Sequence, residues 1–300
     1  MKNANRFFFL TDFVKSIFFS GKDNKRNGSL EEVHQNYLAR PIFLFLILII
    51  FCSVVKDEYT LINSIPFSEA TFLTTDKLGN AYVVIENQLL QFDQKGKPLA
   101  NYSEKNLGTL GFVDAGNPMK ILLFYPDFAR LIILDSKLSP QSSINLRELK
   151  INQPLTACNS KENGYWVYDR EDDQLKKINL NLQVIQQSGN LTQIIGYQIQ
   201  PGMMMEDNGF VYLNNPSSGI LVFDRFGAYY KTIPYQNLTN FQVIEKDVLF
   251  INKNKLFRFD SKSLSETEVL LPQQDSIRSV RIEQHELYLL TSDSLNFYYF

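Results

Sequence analysis

From residue 56 onward the chain alternates short apolar runs with polar turns. Runs of four to seven residues are separated by Asn, Asp, Gly, Ser and Lys, and no long stretch sustains a 3.6-residue period. The pattern predicts strands joined by tight turns, and it repeats. A strand-ending residue falls at Asp93, Asp135, Asn179, Asp224 and Asp260, with spacings of 42, 44, 45 and 36 residues. A last copy, "SLNFYYF", ends at Phe300.

Each copy is preceded by a strongly apolar strand: "NAYVVI", "KILLFY", "GYWVYD", "GFVYLN", "DVLFIN" and "HELYLLT". Before that comes a more mixed strand: "EATFLTT", "TLGFVD", "PLTACN", "GMMMED", "NFQVIE" and "RSVRIE". A fourth strand follows the aspartate in five units, as in "KPLANY" and "AYYKTIP". Four short strands in roughly 40 residues are one blade of a β-propeller. The sixth unit lacks its outer strand, and "EYTLINSI", 58–65, supplies a spare one. Sharing terminal strands closes the ring and removes open sheet edges. The expected fold is all-β: a six-bladed β-propeller of four-stranded antiparallel blades over residues 56–300. The recurring aspartates are read as turn caps, with Gly96 and Gly227 supplying positive φ.

The N-terminal part breaks the rhythm. Residues 42–55 form a charge-free apolar run. As a helix it would cover roughly 21 Å, short of a full span and suited to an export signal or anchor. Lys22, Lys25, Arg26 and Arg40 precede it and only Lys56 follows closely, which places the N-terminus inside and residues 56–300 outside. Residues 1–41 are a cytoplasmic or leader extension, in which 6–19 has apolar residues at helical spacing. Cys52 fits the lipidated cysteine of a bacterial lipoprotein, although Phe51 stands where a small residue is expected. Leader cleavage, lipidation and retention all stay open.

Composition narrows the function. A net charge of -2 offers no basic field for nucleic acid. Two histidines, His34 and His285, leave little room for a His-rich metal site. Cys158 is the one thiol expected in the folded part, mid-strand and buried.

The stretch "TDKLGNAYVVIENQLLQFDQKGK", 75–97, resembles the repeat of NHL-type six-bladed propellers, and "MEDNGFVYLNNPSSGILVFDRFGA", 205–228, is similar. The resemblance implies the fold, and an exported bacterial protein of the periplasm or cell envelope. It does not imply a reaction, because such propellers include binding scaffolds and a few lactonase- or lyase-like enzymes. In the lactonase type a divalent cation sits at the central channel. The first strands here end in Asp76, Asp114, Asn159, Glu206, Glu245 and Glu283. Glu206, Glu245, Glu283 and Asn159 are therefore the candidate calcium ligands of an enzymatic alternative; calcium needs 6–8 oxygens. Met203–Met205 are read as core filling, His285 as structural or solvent-facing, and Trp166 as inter-blade packing.

No Gly-rich phosphate loop, CxxC pair or GxSxG elbow is present. The leading expectation is an exported, membrane-associated, non-catalytic propeller without a cofactor. It would bind an envelope protein or glycan and reach the membrane through its N-terminal segment.

Overall fold

A computed structural model describes residues 59–272 and 275–300. The expected positions of the leader, the 6–19 helix and Cys52 lie outside the described residues. Six four-stranded antiparallel sheets form a closed β-propeller. Blades 1 to 5 span residues 70–103, 112–145, 154–187, 203–233 and 241–269. Blade 6 combines residues 277–299 with the N-terminal strand Thr60–Pro66, which pairs antiparallel with Ser294–Tyr299.

In blades 1 to 5 the order of strands in space follows the chain, the first lying innermost; in blade 6 the strands run 277–283, 286–291 and 294–299 outward, with Thr60–Pro66 outermost. First strands pack against one another between blades 2 and 3, 3 and 4, and 6 and 1. The turns between strands 1 and 2, and between strands 3 and 4, open on one face of the disc, here termed the turn face. The remaining turns and the blade-to-blade connections open on the opposite, crossover face.

The second strands are apolar without alternation because both their faces are covered by neighbouring blades. In Ile121–Tyr125 and Tyr165–Asp169 every residue is buried. The outer strands are exposed, as at Val184–Gln187. Between blades 3 and 4, Trp166, Tyr168 and Leu175 pack against Met204, Leu213 and Phe223. The closing seam packs Leu73 and Val83 of blade 1 against Tyr288, Leu290 and Phe297 of blade 6.

The recurrent aspartates cap turns. Asp93 Oδ1 accepts from the Lys95 and Lys97 amides, and Asp224 Oδ1 from those of Phe226 and Ala228. Gly96 and Gly227 adopt φ of 76° and 83°. The same turn in blades 2 and 3 gives the left-handed position to Leu138 and Leu182, and a turn one residue longer in blade 5 gives it to Leu264. Two features had no counterpart in the strand pattern. A 3-10 helix, Leu146–Leu149, leaves blade 2, and a short α-helix, Leu191–Ile195, follows blade 3 with Asn190 capping its start.

Candidate functional site

The ends of the first strands bring polar groups together where the blades meet. Asp114 Oδ2 accepts from the Asn159 amide at 2.8 Å, joining blades 2 and 3. The Asn159 side-chain amide donates to the Lys120 carbonyl at 3.0 Å, and its Oδ1 is buried without a partner. Glu206, buried in blade 4, accepts from Trp166 Nε1 at 2.8 Å and from the Lys161 amide at 3.1 Å. Thr75 of blade 1 donates to Glu283 Oε1 at 2.8 Å across the closing seam. Gln242 of blade 5 donates to the same oxygen at 3.0 Å. Burial pushes the Glu283 carboxyl up, with the Thr75 hydrogen bond and the Arg281 charge opposing.

Arg281 is the residue that strand reading missed. It stands on the first strand of blade 6 and is only 4% exposed. Its guanidinium donates to the Phe241 carbonyl at 2.9 Å, to Asn240 Oδ1 at 2.8 Å and to the Leu73 carbonyl at 3.3 Å. One side chain thus fastens blades 5, 6 and 1. Burial pulls its pKa down to about 10, so it stays charged near neutrality. The available signal was an arginine in an inner strand, "RSVRIE", whose charge must find carbonyls or carboxylates if buried.

The other candidates separate. Glu245 sits exposed on the turn between Ile244 and Asp247, at φ 54°. Among the described residues, no group of three or more His, Cys, Asp or Glu is placed to hold a metal ion. His285 lies exposed on a blade 6 turn, its ring 6.0 Å from that of Tyr299. Cys158 is fully buried, and burial raises its thiol pKa well above the usual range. Met203 and Met204 fill two different core clusters.

A second polar region lies at the rim. The outer strand of blade 1 and the third and fourth strands of blade 2 leave a groove of about 450 Å³. Tyr102, Glu104, Leu107, Arg130, Ser142 and Ser143 line it. Arg130 donates to Ser143 Oγ at 3.1 Å, while its Nε is buried without a partner. The nearby Tyr125 hydroxyl is also buried and unpaired. Burial, with lesser contributions from Tyr102 and Glu104, raises its pKa.

No family model and no curated protein matches the sequence. The chain is similar in structure to a streptogramin B lyase, with a TM-score of 0.55 at 11% identity over 80% of this chain and 96% of that one. It is similar to a virginiamycin B lyase from Staphylococcus aureus in complex with quinupristin, with a TM-score of 0.53 at 13% identity, covering 78% and 81%. It is also similar to the Pan2 WD40 domain of Neurospora crassa, with a TM-score of 0.50 at 10% identity, covering 80% and 95%. These likenesses establish the propeller fold. The NHL-like resemblance gains no family match.

Proposed function

We propose that the protein is an exported, membrane-associated, non-catalytic propeller that holds an envelope protein or glycan in the rim groove between blades 1 and 2. The observation that carries this reading is the contrast in hydrogen bonding. Glu206, Glu283 and Arg281 bond to neighbouring blades, although Asn159 Oδ1, also at a first-strand end, has no partner. In the groove, Arg130 Nε has no protein partner. A buried donor without a partner costs about 1–3 kcal/mol; Arg130 Nε is shielded from the surface, so an arriving carboxylate or hydroxyl would recover this once the side chain turns outward. Tyr102 adds an aromatic wall and Glu104 a carboxylate acceptor, a combination suited to a polar, hydroxyl-rich ligand.

A photo-crosslinking side chain at Ser142, in the full chain in its own cells, tests this. The expected result is one discrete adduct, lost when Arg130→Ala is added. Absence of any adduct specific to position 142 would contradict the proposal.

A second reading rests on Asn159 Oδ1, a buried acceptor without a partner. It makes the protein a calcium-dependent lactonase- or lyase-like enzyme, with Asn159, Glu206, Glu245 and Glu283 as ligands. In that reading the cation would share the Glu206 and Glu283 carboxylates with their present hydrogen-bond donors, which fall on Glu206 Oε2 and Glu283 Oε1.

A further inference from the structure

Every blade carries an exposed apolar side chain on the turn face. Leu78, Met119, Leu180, Phe226 and Leu264 stand on turns of blades 1 to 5, and Phe300 lies beside blade 6. Their exposure runs from 36% at Phe300 to 69% at Met119. Singly scattered apolar residues are ordinary on a soluble surface; what sets this face apart is that each of the six blades contributes one to it. The crossover face has Phe128, Ile194, Tyr197 and Leu270, which leave blades 1, 4 and 6 without one.

Cations accompany these tips. Lys77 precedes Leu78, Arg225 precedes Phe226 and Lys262 lies two residues before Leu264; Lys120, beside Met119, instead turns its ammonium onto the Tyr165 ring, 4.1 Å from the centroid. The Arg225 guanidinium lies 4.8 Å from the Phe226 ring centroid. The carboxylates of the same turns point back into the protein: Asp76 and Asp224 each accept two turn amides through Oδ1, as does Asp260. An apolar tip beside a long basic side chain suits a lipid interface, where the tip enters the acyl boundary and the cation stays with the headgroups.

The chain enters the propeller on this side. Thr60 pairs with Tyr299, which pairs in turn with Glu286, and the Phe300 amide donates to the His285 carbonyl. His285 belongs to a turn-face hairpin. Five residues separate the apolar run 42–55 from Leu61, a distance of at most about 20 Å for extended chain. A membrane holding that run is therefore within reach of the turn face.

We propose that the turn face of the propeller lies on the lipid bilayer that holds residues 42–55. This rests on the reading of that run as a retained membrane segment. It leaves the rim groove and the crossover face free for the partner. Because acidic and basic side chains share these turns, apolar contact rather than net charge supplies the adhesion, and the contact survives physiological salt.

The test uses the full chain in phosphatidylcholine–phosphatidylglycerol nanodiscs, with Cys52→Ser removing the competing thiol. A fluorophore is placed by Ser263→Cys on the turn face or by Phe128→Cys on the crossover face. Nitroxide-bearing lipid is expected to quench the first several-fold more than the second. The triple variant Leu78→Ser, Phe226→Ser, Leu264→Ser is expected to weaken that quenching while keeping the thermal midpoint of the propeller. Equal, weak quenching at both positions in a chain that stays with the discs overturns the docking and leaves the anchor standing. A chain that does not stay with the discs overturns both. Concentration-dependent shielding of position 263 without nitroxide quenching also overturns the proposal, in favour of a second copy on this face.

Discussion

The Trp166 indole nitrogen and the Glu206 carboxylate lie 2.8 Å apart and join blade 3 to blade 4. The indole is fully buried, so its N–H has to find an acceptor within the protein. Trp166→Phe keeps a large ring but leaves Glu206 short of a donor. The expected loss is about 1–3 kcal/mol, read as a lower urea midpoint with an unchanged slope.

Arg281 fastens three blades, so its removal is expected to cost more. Arg281→Met orphans acceptors on Phe241, Asn240 and Leu73 and is expected to cost about 3–5 kcal/mol. Arg281→Lys is expected to recover little of this, because a single ammonium lacks the fork that reaches separate strands. Amide hydrogen exchange should then speed up first in Thr60–Pro66, the strand that closes blade 6.

Glu283 makes a pH prediction. Burial raises its folded-state pKa above the unfolded value, so the folded protein binds this proton more tightly. Its contribution to stability is therefore greatest below the unfolded pKa and falls as pH rises through the folded pKa. Glu283→Gln can still accept from Thr75 and is expected to flatten that slope. Urea midpoints at a series of pH values just above the ordinary carboxylate range check this. An unchanged slope would mean that Glu283 does not titrate there.

Leu264 is left-handed, at φ 56°, in a turn one residue longer than those in which Gly96 and Gly227 are left-handed. A left-handed side-chain residue costs about 1–2 kcal/mol, and glycine loses back about 0.5–1 kcal/mol in chain entropy. Leu264→Gly is expected to raise the thermal midpoint slightly. A fall would show that Leu264 makes a contact worth more than its strain.

The six-blade rhythm was legible because it is local. Turn caps such as Asp93 and Asp224 act on amides two and four residues away, and the apolar second strands write their burial directly as composition. Thr60–Pro66 was legible only by arithmetic, as the strand missing from the last unit. The inter-blade fastenings were not legible: Thr75 and Glu283 are 208 residues apart, as are Leu73 and Arg281. No local period records such a pair. The polar residue that ends each first strand was visible as a set. The set divides, with Glu206 and Glu283 buried in bonds and Glu245 exposed on a turn, because the local direction of each strand end decides its surroundings. The rim groove had no sequence signal, since residues from two blades line it.

The measurement that bears most directly on the account is the thermal unfolding of the full chain with and without millimolar calcium, in wild type and in Glu206→Gln. A ligand at about 100 times its dissociation constant would add about 2.7 kcal/mol. If the channel carboxylates fasten blades, calcium shifts neither midpoint, and magnesium at equal ionic strength gives the same trace. A calcium-specific rise in the wild type that disappears in Glu206→Gln would contradict this and make the channel a cation site.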